Sequence, residues 1–102
     1  MAKWLVMWKM TQEYWSLPDA TRFKILEDAM KTVKADMDSG FVKDWGIKAD
    51  NSGGYIIYEG TETRCVEACM RYAKYLSSEG TPVISLTQFS EVFKKRTAEI
   101  RK

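Results

Sequence analysis

The chain has 102 residues, 45% of them apolar and 29% charged, with a net charge of +2. That length suits one domain spanning 1–102, and the composition excludes disordered and low-complexity classes. So balanced a charge lacks the electrostatic footprint of most nucleic-acid binders, so no nucleic-acid partner is expected.

In the opening segment one lysine precedes a five-residue apolar run, Trp4 to Trp8. This run is shorter than the core of a signal peptide and far short of a membrane span, so a cytoplasmic protein without membrane attachment is expected. There is no histidine. That removes the commonest general base and the commonest ligand of zinc, copper and haem iron, and with it Ser-His-Asp, Cys-His and His-metal mechanisms. The doublet Gly53-Gly54 lies in a turn setting without a phosphate-loop pattern, and Cys65 and Cys69 stand four apart on a predicted helix, with neither disulfide nor metal-finger spacing. No cofactor and no metal are expected.

Residues 3–10 alternate Lys3, Leu5, Met7 and Lys9 with Trp4, Val6, Trp8 and Met10. Both faces carry apolar bulk, which predicts a central strand. Ser16-Leu17-Pro18-Asp19 offers a cap hydroxyl with an acid three residues on, and the helix it opens steps through Phe23, Leu26, Met30, Val33 and Met37 to a stop at Gly40. Phe41 to Lys48 is a strand charged enough for a sheet edge, and 49–54 is a hairpin turn. Tyr55-Ile56-Ile57-Tyr58 is a second central strand.

Thr61 caps a helix with a buried stripe at Val66, Cys69, Ala73 and Leu76, ending near Gly80. Thr81-Pro82-Val83-Ile84 is a short edge strand, because proline cannot donate to a sheet ladder. Ser85-Leu86-Thr87-Gln88 has a capping-box pattern, and Leu86, Phe89, Phe93 and Ile100 continue it as a C-terminal helix. Met7, Met10, Met30, Met37 and Met70 are expected on inner faces as packing filler.

The order β-α-β-β-α-β-α predicts an α+β, ferredoxin-like βαββαβ domain. Its four-stranded antiparallel sheet has the order 4-1-3-2, with two helices on one face and an additional C-terminal helix. The two central strands leave apolar side chains on the second face, so a homodimer with sheets facing each other is expected. The competing arrangement lays the C-terminal helix across that face, in its own chain or the partner's.

On this element order, and on Trp4-Leu5-Val6-Met7-Trp8, Gly54-Tyr55-Ile56-Ile57-Tyr58-Glu59-Gly60 and Pro82-Val83-Ile84-Ser85-Leu86, the chain resembles the dimeric α+β barrel superfamily. That superfamily includes muconolactone isomerase-like, antibiotic-monooxygenase-like and YciI-like proteins and small families of unknown function. The resemblance implies a homodimer and a ligand cleft between sheet and helices. The histidine used by YciI-like members and by haem-binding branches has no counterpart here.

Three functions follow as expectations. A small apolar or aromatic ligand would bind in a cleft near Tyr14, Trp15 and Trp45, with Lys9 as an ionisable neighbour. Alternatively, a cofactor-independent isomerase or monooxygenase would use Asp44 or Glu59 as base and Tyr58 as oxyanion partner. The third expectation is a protein-interaction module.

Overall fold

A computed structural model describes residues 3–101. Four strands form one antiparallel sheet: β1 (Lys3–Met10), β2 (Val42–Ile47), β3 (Gly53–Glu59) and β4 (Leu76–Val83). Their order is β2-β3-β1-β4, so the two strands with apolar residues on both faces are central, as the sequence predicts. The helices are a short α1 (Gln12–Trp15), α2 (Asp19–Asp38), α3 (Glu62–Met70) and α4 (Leu86–Arg101). No helix among the described residues is long and apolar enough to cross a membrane.

Strand alternation sorts the residues by face. Val6, Trp8 and Met10 of β1 join Ile56 and Tyr58 of β3 in the buried core, with Ile25, Leu26 and Val33 of α2 and Cys65, Ala68 and Cys69 of α3 packed over them. Each large apolar side chain so covered contributes about 1.5–3 kcal/mol. Leu5, Met7, Tyr55 and Ile57 alternate onto the other face, which α2 and α3 leave open.

The end of α2 is fixed by its backbone. Gly40 takes φ +86°, its N–H donates to Met37 O (3.1 Å), and the Phe41 N–H donates to Asp36 O (3.0 Å). This is the paired closure in which glycine supplies the left-handed residue after a helix. The turn delivers Phe41 into the core against Tyr58, with ring centroids 4.6 Å apart. At the other end of α2, Pro18 precedes the first turn without a side-chain cap, and the expected cap Ser16 instead closes α1 by donating to Glu13 O (2.8 Å).

Two elements depart from expectation. The third helix stops at Met70, and the chain enters β4 at Leu76. Ser77, Ser78, Gly80, Thr81 and Pro82 are weak helix formers, while pairing with β1 satisfies this stretch over eight residues, from Met10↔Leu76 to Lys3↔Val83. The segment read as a loop after β1 contains α1, capped by Thr11, whose Oγ1 accepts from the Tyr14 N–H (3.4 Å) and donates to Lys74 O (3.1 Å).

The methionine expectation is corrected as well. Met10 is buried, but Met7, Met30, Met37 and Met70 are exposed, as are Phe23 and Val66. Leu26 and Val33 pack on the core, whereas Met30 and Met37 stay about half exposed, Met30 at the edge of the space between α2 and the sheet.

Candidate functional site

The face of the sheet beneath α2 and α3 holds a cleft in two chambers. The inner one, about 50 Å³, is walled by Trp8, Trp45, Tyr58, Ala68, Tyr72 and Leu26, among others. The outer one, about 450 Å³, is a groove over β1 and β4 against α3, lined by Trp4, Cys65, Val66, Met70, Ala73 and Gly80, among others. Val6, Cys69, Leu76 and Ser78 line both and form the wall between them. The outer volume lies in the range of small-molecule sites, whereas the inner one falls well short of the roughly 150 Å³ that holds a benzene ring.

Local sequence explains the shape. Opposite Trp4, Val6 and Trp8, β4 offers Pro82, Gly80 and Ser78, all small, so the helix-facing side of this edge has little bulk to fill the space beside α3. On the other flank, Trp8 stacks with Trp45 of β2 (centroids 6.1 Å apart, planes at 24°) and closes the floor. Gly54 permits that stacking, since a Cβ there would lie 2.1 Å from Gly46 O and 2.6 Å from the Trp8 ring.

Two buried polar atoms of this cleft, Trp4 Nε1 and the Tyr72 hydroxyl, have no hydrogen-bond partner among the described residues. Leaving such a group unmet costs about 1–3 kcal/mol, so each marks a place where a ligand atom would be rewarded. The Arg71 guanidinium lies 5.9 Å from the Tyr72 ring centre and interacts with that side chain, while its hydrogen bond in good geometry goes to Asp36 Oδ2 (3.3 Å). Burial raises the Tyr58 phenol well above its usual value, and the neighbouring Cys69 and Tyr72 add to the effect. Burial also raises both thiols. Cys69 acts against ionisation of Cys65, and the Ser78 hydroxyl partly offsets the shift at Cys69. The cleft therefore holds its phenol and thiols neutral, which suits an uncharged, largely apolar occupant.

The residues singled out in the sequence are dispersed. Trp45 and Tyr58 line the inner chamber. Tyr14 is instead a core residue whose hydroxyl donates to Arg22 O (3.4 Å), and exposed Trp15 packs edge-on against it (5.2 Å) beneath Arg22; neither lines the cleft. Lys9 lies on the open face opposite Gly53, in a hollow with Met7, Lys48, Ser77 and Glu79.

Asp44 and Glu59 also alternate onto the open face, away from Tyr58. Asp44 accepts a hydrogen bond from the Tyr55 hydroxyl (2.8 Å), and Glu59 lies 3.9 Å from Lys43 rather than near Lys9. That hydrogen bond raises the Tyr55 phenol, with burial and the Asp44 charge acting in the same direction.

Tyr72 was missed, although a signal for it exists. Cys65, Ala68, Cys69 and Tyr72 follow the i, i+3, i+4, i+7 spacing of one helical face as well as Val66, Cys69, Ala73 and Leu76 do. Among the described residues no cluster of three or more His, Cys, Asp or Glu side chains is placed to hold a metal ion. Comparison with protein-family models, with curated proteins and with solved structures finds no match to this chain.

Proposed function

We propose that this protein binds a small, uncharged aromatic or apolar molecule bearing one hydrogen-bond acceptor in the cleft between the sheet and α3. The reading is carried by the unmet Trp4 indole N–H, enclosed in the wall of a largely apolar groove of ligand size that Glu62, Ser77 and Ser78 also line. An indole N–H only donates, so the complementary ligand atom is an acceptor such as a carbonyl oxygen. A reaction using a carboxylate base is less well supported, because the Tyr58 phenol and the Asp44 and Glu59 carboxylates look out from opposite faces.

The test compares acetophenone with cumene, which match in size but differ in the acceptor, by calorimetric titration. Acetophenone is expected to bind roughly 3- to 10-fold more tightly, the value of one hydrogen bond, and Trp4→Phe is expected to erase that preference. Equal affinities in the parent protein, or no binding of either, would sink the proposal.

A second reading concerns assembly, and a separate observation favours it. The centre of the open sheet face is Leu5, Met7, Tyr55 and Ile57, with Met7 44% exposed. We infer that a second copy of the chain covers this face in a homodimer. Light scattering should return twice the chain mass of 11.8 kDa.

A further inference from the structure

The described part of the molecule is 64 Å long and at most 27 Å across, with a radius of gyration of 17.2 Å where a compact chain of this size has roughly 13 Å. Its C-terminal helix is open to solvent. Ser85 and Gln88 cap α4 reciprocally, the Gln88 N–H donating to Ser85 Oγ (3.1 Å) and the Ser85 N–H to Gln88 Oε1 (2.9 Å). Yet among its described residues none is buried, and Leu86, Phe89, Val92, Phe93 and Ile100 are 80%, 54%, 59%, 61% and 69% exposed. An amphipathic helix without a partner gains little of the packing that normally stabilises it.

We propose that α4 of each copy lies across the open sheet face of a second copy, so that the two exchange helices. This rests on the dimer reading above and specifies what covers the face. Two features of the molecule support it. Sixteen helical residues span about 24 Å, and an eight-residue strand spans roughly 26 Å, so the helix matches the face in length.

The areas also match. Five half- to mostly exposed apolar side chains leave on the order of 500 Å² on α4, and four strands of about seven residues present roughly 440 Å². Burying both surfaces twice removes at most about 1,900 Å², within the size of a stable interface.

The test uses the full chain and three substitutions at exposed positions, Phe93→Glu, Phe89→Glu and Met7→Glu, each checked for native near-ultraviolet circular dichroism before light scattering. Helix exchange predicts a dimeric parent and three variants whose dissociation constants rise at least 100-fold. If Met7→Glu dissociates the dimer but Phe89→Glu and Phe93→Glu do not, the open faces pair without α4. The exchange is then overturned while the dimer stands. Dissociation by the α4 variants alone would place α4 against another α4 and overturn it too, and a monomeric parent overturns both readings.

A cross-link settles the geometry without relying on any variant's stability. A Met7→Cys chain mixed with a Phe93→Cys chain should form a disulfide-linked heterodimer under mild oxidation. Persistent failure of this pair to link, when a control pair on the same faces does, overturns the exchange.

Discussion

Tyr55 and Tyr58 stand three residues apart on β3 and meet opposite surroundings. Tyr58 is buried among α2, α3 and the two stacked tryptophans, and burial lifts its phenol far above the usual value. Tyr55 lies on the face those helices leave open, its hydroxyl bonded to Asp44. The two-residue period of a strand thus divides similar residues between a finished core and an unfinished surface. Apolar composition alone does not distinguish them; the neighbouring elements do.

The sharpest way to break this comparison is to truncate one large side chain on each face. Phe41→Ala, at a fully buried ring packed against Tyr58 and beneath Arg64, is expected to cost about 3–5 kcal/mol in urea unfolding. Met7→Ala is expected to cost less than about 1 kcal/mol when measured at a concentration where the chain is monomeric. Comparable losses at both positions would mean that the faces do not differ as described.

Removal of an unmet hydroxyl is the next effect in size and runs the other way. Tyr72→Phe should raise stability by up to about 1 kcal/mol, since the buried phenol meets no partner in good geometry and only the Arg71 guanidinium lies beside it. A loss of stability would show that the hydroxyl has a partner.

A smaller effect follows from pH. Cys65, Cys69 and Tyr58 all have raised values in the folded chain, so the unfolded chain ionises first as pH rises. Their contribution is complete below the unfolded-state values of roughly 8.5 and 10, and is lost as pH climbs from there toward the folded-state values. Urea midpoints should therefore fall from about pH 8.5 upward as the thiols ionise, and Tyr58→Phe should flatten only the part of that fall above about pH 10. Tyr55→Phe is expected to change least, because the bond to Asp44 is fully wet, and its urea midpoint should match the parent's.

Much of this architecture is legible in the chain. β1 and β3 announce themselves as central by apolar residues at both alternations, and the charges of β2 and Pro82 of β4 mark the edges; the observed order agrees. The stretch from Met70 to Gly80 is less legible, because its apolar residues fit a helical period and only pairing with β1 decides for a strand. A misplaced boundary there hid Tyr72 and Ser78, and with them half of the cleft. The aromatic pair Tyr14-Trp15 stands out by composition, and the structure places it on α1 beside Arg22, away from the cleft between sheet and α3. Which side of the sheet a carboxylate joins depends on register and on the irregularity between Val42 and Asp44, neither of which residue type reveals.

The central claim is that the cleft between sheet and α3 receives a ligand through the unmet Trp4 indole. Four tryptophans report on it separately in a proton–nitrogen NMR spectrum: Trp4 at the groove, Trp8 and Trp45 in the floor, and Trp15 outside it. Titration with acetophenone should move the Trp4 indole N–H strongly downfield as it gains an acceptor, shift Trp8 and Trp45 slightly, and leave Trp15 in place. An unmoved Trp4 signal at saturating acetophenone, or a shift confined to Trp15, would contradict the account.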